Sequence, residues 1–104
     1  MSYTVSHHYT EDRQSREALI RKIGYGEKVD EFIVDRGHPN GAERHEISST
    51  GIVTIYNART GKLVTKLIAK PNQVKRYYEA ENKVTPEYIL RIAYEHMRKN
   101  YNNM

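Results

Sequence analysis

Apolar and polar residues are mixed in two neighbouring segments, residues 52–57 and 62–69, and both segments are rich in β-branched side chains. The tetrapeptide 58–61 joins them and contains the turn formers Thr60 and Gly61, so the pattern predicts a β-hairpin. The loop length sets the expected cross-strand pairs: Asn57 with Lys62, Tyr56 with Leu63, Ile55 with Val64, Thr54 with Thr65, Val53 with Lys66 and Ile52 with Leu67. Both faces of this hairpin are then partly apolar, which indicates a sheet with one face covered by helices and the other half solvated.

Two further strands are predicted ahead of the hairpin. Residues 31–35 hold an apolar run, and residues 43–48 follow a segment at 37–41 whose Gly, Pro and Asn favour a tight turn. A second turn at 49–51 leads into the hairpin. Four consecutive strands joined by short turns predict an antiparallel sheet, and Pro71 is expected to end its last strand.

Three helices are predicted around this sheet. Residues 11–23 place apolar side chains at helical spacing behind an acidic first turn and stop at Gly24. Asn72 is the expected cap of a short helix that runs to about Ala80, with Val74, Tyr77 and Tyr78 on its inner side. The last helix starts at Thr85-Pro86-Glu87, since Pro and a carboxylate are favoured in a first turn. Its inner stripe is Ile89, Ile92, Ala93 and His96, while Tyr88 and Tyr94 are interpreted as packing residues. The predicted fold class is α+β, with about four antiparallel strands flanked by an N-terminal helix and two C-terminal helices.

The length of 104 residues is that of one small domain, and the chain contains no cysteine. We expect a disordered tail at 1–10, a single domain over 11–100 and a disordered end at 101–104. Without cysteine there are no disulfides, thiolate zinc sites or thiol redox chemistry, which suits a reducing compartment. No apolar run exceeds three residues, so neither a membrane span nor a signal-peptide core is expected, and we predict a cytoplasmic protein.

Charge is distributed unevenly along the chain. Residues 1–52 carry seven Lys/Arg and nine Asp/Glu, a balance of −2, whereas residues 53–104 carry ten and four, a balance of +6. No acidic residue lies between Glu46 and Glu79, and six basic residues fall inside that interval: Arg59, Lys62, Lys66, Lys70, Lys75 and Arg76. A row of cations along a hairpin binds phosphate backbones through counterion release, so this stretch predicts a nucleic-acid-binding face.

Neutral and aromatic neighbours extend this predicted face. Tyr56, Tyr77 and Tyr78 could stack on unpaired bases, and Asn72 and Gln73 could supply hydrogen bonds. The predicted binding residues are Arg59, Lys62, Lys66, Lys70, Gln73, Lys75, Arg76 and Tyr77. The alternative interpretation is that a basic hairpin only keeps a small domain in solution.

Histidines suggest a second kind of chemistry. His38 in the turn and His45 in the following strand lie near Arg44 and two glutamates in the sequence, and a histidine beside a carboxylate can act as a general base in a metal-free ribonuclease. The spacing of these histidines, and of the His7-His8 pair, matches no established zinc motif, so we predict no metal ion and no cofactor. Phosphate-loop, nucleophile-elbow and dinucleotide motifs do not occur in the sequence.

Several short motifs carry a resemblance to a known group of proteins. They are Val34-Asp35-Arg36-Gly37-His38-Pro39-Asn40-Gly41, His45-Glu46-Ile47, Ile55-Tyr56-Asn57, Thr60-Gly61-Lys62-Leu63-Val64-Thr65 and Lys70-Pro71-Asn72-Gln73-Val74-Lys75-Arg76-Tyr77-Tyr78. Over about residues 31–101 the chain resembles small uncharacterised proteins carried by phages and mobile elements of Gram-positive bacteria.

This resemblance implies two functional classes, and the half-apolar sheet face adds a third alternative. The first is a non-enzymatic inhibitor of the anti-CRISPR type, whose partner is RNA rather than duplex DNA, or a host ribonucleoprotein such as a CRISPR effector. The second is a small ribonuclease similar to barnase, colicin D or RelE-like enzymes, for which the candidate catalytic residues are His45, Arg44, Tyr56, Thr65 and Arg76. The third is a phage interaction or structural protein. We expect the binding function, with the basic stretch as its site.

Overall fold

A computed structural model describes residues 15–35, 37, 39 and 41–101 of the chain. Its elements follow in the order α1 (15–23), β1 (Lys28–Val34), β2 (Glu43–Ser48), β3 (Ile52–Asn57), β4 (Leu63–Ile68), α2 (Pro71–Ala80) and α3 (Glu87–Tyr101). The strands form one antiparallel sheet in the order β1-β2-β3-β4. One helix before a four-stranded antiparallel sheet and two helices after it confirm the predicted α+β fold.

The bounds of the two central strands agree with the prediction, whereas the bounds of β1, α2 and α3 differ from it. β2 and β3 have the predicted bounds, whereas β1 begins three residues before the expected start. The expected cap of α2 is wrong: Lys70 occupies the N-cap position and Pro71 the first helical position, where a fixed φ and a missing N–H are favourable. α3 reaches Tyr101, one residue into the expected disordered end. The predicted tail and the acidic first turn at 11–12 lie outside the described residues.

The hairpin between β3 and β4 contains an irregularity that the loop length did not predict. Tyr56 opposes Leu63 as expected, but the register then shifts by one residue. The remaining pairs are Ile55 with Thr65, Thr54 with Lys66, Val53 with Leu67 and Ile52 with Ile68, so the predicted pairs at these four positions are wrong. An extra residue at Val64 causes the shift, as in a β-bulge, and it moves Leu67 onto the same face as Val53.

The two faces of the sheet have different coverings. The inner face packs against α2 and α3 and forms one buried cluster: Phe32, Ile47, Val53, Ile55, Ala69, Val74, Tyr77, Tyr78, Ile89 and Ala93. Ile52 points to the outer face and is buried outside this cluster, as is Ile20 of α1. Tyr25, just after α1, lies against Lys66 on the outer face. The chain therefore covers the sheet from both sides, and the helices that follow it supply half of the residues in the inner cluster.

The turn between β2 and β3 is hydrogen-bonded both to the segment behind α1 and to α3. The Thr50 hydroxyl donates to the Gly24 carbonyl oxygen at 2.7 Å, behind α1. His96 of α3 donates from Nε2 to the Thr50 carbonyl oxygen at 2.8 Å. His96 is thus a packed boundary residue, as its position on the helix stripe indicates. None of the helices within the described ranges is long and apolar enough to cross a membrane.

Candidate nucleic-acid interface

The basic residues follow the free edge of the sheet. β4 is the last strand in the sheet order, with Lys62 immediately before it, Lys66 within it and Lys70 between it and α2. At about 3.3 Å per extended residue, Lys62 and Lys70 lie roughly 26 Å apart. We call the set Arg59, Lys62, Lys66, Lys70, Lys75 and Arg76 the basic edge. These residues follow one another along the chain from the hairpin tip, through β4, to the first two turns of α2.

Hydrogen bonds from backbone amides to side-chain oxygens shape the hairpin tip, and its cations are exposed. The Asn57 side-chain oxygen accepts the amide hydrogens of Arg59 and Thr60, both at 2.9 Å. The Thr60 hydroxyl accepts the amide of Lys62 at 3.2 Å. Because the polar groups of Asn57 and Thr60 satisfy the loop backbone, Arg59 and Lys62 are free to extend their side chains into solvent, where both are exposed.

Lys66 differs from these cations because it is half buried on the outer face. Its ammonium lies 4.2 Å from the centre of the Tyr25 ring, a cation–π contact. A partner that binds Lys66 would therefore contact the segment behind α1 as well as the edge strand.

A groove between α2 and α3 forms the other end of the basic edge. It has a volume of about 520 Å³ and is lined by residues 70–73, Arg76, Tyr94 and Met97. We call it the α2–α3 groove. Its charged lining residues, Lys70 and Arg76, are both cationic, and the first turn of α2 contains no acidic residue. The exposed Arg76 side chain makes no ion pair with any described residue. Positive charge thus accumulates at a concave surface, which favours an anionic ligand.

Tyr94 and Met97 supply an aromatic and thioether wall that the sequence analysis missed. Tyr94 is 40% exposed and Met97 is 37% exposed. Lys75 of the basic edge donates to the Tyr94 hydroxyl at 3.5 Å, which links this wall to the cations. Tyr94 directly follows Ala93 of the inner stripe, so its helical position at the border of that stripe was the available signal.

Two of the tyrosines that were proposed to stack on bases are buried in the core. Tyr77 is 7% exposed and Tyr78 is 3% exposed, and both pack against Phe32, so neither ring is available for stacking on a base. Gln73 lines the groove, but its side-chain oxygen accepts the Lys70 amide at 3.4 Å and its nitrogen donates to the Tyr77 hydroxyl at 2.9 Å. Gln73 therefore organises the start of α2.

The candidate catalytic residues of the ribonuclease alternative are not brought together. His45 faces the inner side of the sheet and is 3% exposed, beneath α2. Arg44 and Tyr56 form a cross-strand pair on the outer side, with the guanidinium 4.7 Å from the ring centre. Thr65 is separated from His45 by Ile55 in the cross-strand row, and Arg76 lies at the groove. Neighbours along a strand alternate faces, which separates Arg44 from His45 by the thickness of the sheet.

His45 instead belongs to a chain of buried polar groups. Its Nδ1 lies 2.5 Å from the Tyr77 hydroxyl, and its Nε2 lies 3.0 Å from a Glu43 carboxylate oxygen. With a proton on Nε2, His45 donates to Glu43, and its Nδ1 accepts from Tyr77, whose hydroxyl also accepts from Gln73. Each group in this chain has a partner, so His45 has a structural role in joining β2 to α2.

The other half of the histidine hypothesis, His38, lies outside the described residues, as does the His7-His8 pair. Within the described part of the chain, no group of three His, Asp or Glu side chains could hold a metal ion. No family model, curated protein or solved structure matches this chain.

Proposed function

We propose that this protein binds RNA through the basic edge. The observation that carries the proposal is the placement of six cations, from Arg59 to Arg76, along the free edge strand and into the α2–α3 groove. The acid-free sequence between Glu46 and Glu79 covers β3, β4 and most of α2, so no carboxylate from this stretch opposes a phosphate. A row roughly 26 Å long, at 3.3 Å per extended residue, is the length of several nucleotides.

The energetics of such a surface are mainly electrostatic. Each Lys or Arg that neutralises a phosphate releases condensed counterions, so affinity falls steeply with salt. An exposed and flexible lysine contributes to affinity without reading sequence, which suits binding to a backbone or to a structured RNA.

A narrower form of the proposal concerns the target. The resemblance to phage and mobile-element proteins supports a host ribonucleoprotein, with an inhibitor role of the anti-CRISPR type, and the basic edge fits a contact with the RNA of such a target. A ribonucleoprotein target predicts that binding to the assembled particle is stronger than binding to its RNA alone.

The test compares two variants with equal loss of charge. In the first, Lys62, Lys70 and Arg76 are replaced by Gln, all exposed and spread over the basic edge. In the matched control, Lys22, Lys83 and Arg91 are replaced by Gln, which are exposed on other surfaces. Fluorescence anisotropy with a labelled structured RNA measures the dissociation constant at several salt concentrations.

We expect the edge variant to bind at least about tenfold more weakly, with a salt dependence of log K reduced by about 2, since each lost phosphate contact removes roughly 0.7 for single strands. The control should keep most of the affinity. Equal losses in the two variants, or binding insensitive to salt, would overturn the proposal. A denaturing gel of the same RNA should show it intact; discrete fragments that disappear in a catalytically impaired variant would favour the ribonuclease alternative.

A further inference from the structure

We propose that the α2–α3 groove holds one unpaired nucleotide of the RNA, with its base against Tyr94 and its phosphate between Lys70 and Arg76. This inference rests on the proposed RNA binding and narrows it, because a groove for an unpaired base selects single strands over duplexes. The rest of the basic edge would contact only the phosphate backbone of the RNA.

The charge of the groove points to a phosphate. Its two charged lining residues are cationic, and they flank the start of α2. The amides of the first helical turn have no acceptors within the helix, so Asn72 presents a backbone N–H at this end. The two cations, the helix dipole and the absence of acid in the first turn act in the same direction on an anion.

The opposite wall points to a base. Tyr94 and Met97 keep large exposed surfaces although they lie on the helix that carries Ile89 and Ala93 into the core. Lys75 contacts the Tyr94 hydroxyl, which holds the ring at the mouth of the groove and adds a third cation beside it. A volume of about 520 Å³ is within the range of small-ligand sites. A base in a duplex is paired and stacked, so only an unpaired base can present its face to this ring.

The first experiment compares one labelled, unstructured RNA with the same strand annealed to its complement. Tyr94→Leu removes the ring and keeps a helix-forming apolar side chain, and Tyr88→Leu is the control, an exposed tyrosine on the same helix outside the groove lining. We expect Tyr94→Leu to weaken single-strand binding roughly 5- to 140-fold, which is the range for one stacked base. Duplex binding should change less than about twofold, as phosphate contacts remain. Equal behaviour of the two variants overturns the inference and leaves the proposed function standing.

The second experiment tests the groove without RNA. Adenosine monophosphate is titrated into the isotope-labelled protein, with inorganic phosphate as the parallel probe. We expect amide shifts at Arg76, Tyr94 and Met97 with the nucleotide, and at least about tenfold weaker effects with phosphate, because stacking on one aromatic ring accounts for that ratio. If the wild-type protein binds no RNA and the nucleotide still shifts these amides, the proposed function fails and the groove assignment stands. Identical shifts with both probes, or none with the nucleotide, overturn the groove assignment.

Discussion

Tyr77 and Tyr78 are adjacent in the sequence and both are buried, yet their hydroxyl groups have different environments. Tyr77 shares its hydroxyl with His45 and Gln73. The Tyr78 hydroxyl is buried and has no hydrogen-bond partner among the described residues. Burial raises the pKa of Tyr78 to about 12, and the negative charge of Asp30 adds to the shift although the two groups do not meet in hydrogen-bond geometry. Among the described residues, the core therefore contains one tyrosine hydroxyl with hydrogen-bond partners and one without.

Tyr78→Phe is expected to leave the free energy of unfolding at pH 7 unchanged, or to raise it by up to about 2 kcal/mol, because a buried hydroxyl without a partner is costly. Urea unfolding followed by circular dichroism measures the change, with the exposed Tyr88→Phe as the control. A loss of stability larger than about 1 kcal/mol, the usual net worth of one hydrogen bond, would show that the hydroxyl has a partner in solution.

The same residue makes a prediction about pH. The unfolded state ionises near pH 10, the ordinary pKa of tyrosine, whereas the folded state resists ionisation up to about pH 12. Ionisation therefore lowers the free energy of the unfolded state first. The contribution of Tyr78 to stability is full below pH 10 and is lost as the pH rises towards 12. Tyr78→Phe should show a smaller decrease of stability between pH 10 and 12 than the wild-type protein. Parallel curves for the two proteins would contradict the assignment.

His45→Ala is expected to lower the free energy of unfolding by about 2–4 kcal/mol, since it opens a cavity and removes a partner from Tyr77 and Glu43. Glu43→Gln keeps a side-chain oxygen and should cost less. Urea unfolding of both variants provides the measurement. A His45→Ala protein as stable as the wild type would contradict the structural role, and any activity assay of this variant needs that measurement beside it.

Among the elements, the turn between β2 and β3 has a close contact with α3 that only glycine allows. Gly51 has a φ of +84°, and a Cβ at this position would lie 2.9 Å from Cγ2 of Ile92 and 3.2 Å from Cδ2 of His96. The turn thus needs glycine for its backbone conformation and also for its close approach to α3. This contact, together with the His96 hydrogen bond to Thr50, fixes the position of α3 against the end of the sheet.

Gly51→Ala and Gly61→Ala separate these two requirements. Gly61 has a φ of +76°, but a Cβ there would meet no atom within 4 Å. Gly61→Ala should therefore cost only the backbone strain, about 1–2 kcal/mol, and Gly51→Ala should cost an additional 1–3 kcal/mol from overpacking. Thermal or urea unfolding of both variants provides the comparison. Equal losses would show that the turn moves away from α3 without cost.

On the scale of the whole molecule, the two faces of the sheet carry unequal shares of the buried surface. The inner cluster joins three strands to α2 and α3, whereas α1 is outside this cluster and contributes Ile20. Three hydrogen bonds connect the segment behind α1 to the β2–β3 turn: one from Thr50 to Gly24 and two between Ser49 and Glu27. Cooperative units with fewer buried contacts open at lower free energy, so α1 is the expected weak unit.

Native-state hydrogen exchange tests this difference. Amides in the second half of α1 should exchange through local opening, at a lower free energy than the amides of β2 and β3. Ile20→Ala should accelerate exchange in α1 while leaving β2 and β3 almost unchanged. If the α1 amides exchanged only by global unfolding, the two faces would form a single cooperative unit and the prediction would be wrong.

Local patterns were sufficient to predict the fold class and the bounds of β2 and β3, since alternation and turn residues act between near neighbours in the chain. The same patterns identified the basic stretch, because charge is a property of the sequence itself. The hairpin register was predicted only as far as Tyr56 and Leu63, because a bulge at Val64 depends on how β4 packs against the rest of the sheet.

Only the tertiary structure decided which surface each side chain joins. Tyr77 and Tyr94 lie on neighbouring helices, and the packing of α2 and α3 put the first in the core and left the second at a groove. The sequence pattern placed Tyr77 on an inner helix side and also among the binding residues, and it indicated that Tyr94 packs. His45 and Arg44 are consecutive, but the sheet puts them on opposite faces. His45 lies beneath α2, and Arg44 contacts the Tyr56 ring on the outer face. Burial is a property of contacts between distant segments, so the chain alone determined its elements and its charge, and their packing determined its candidate site.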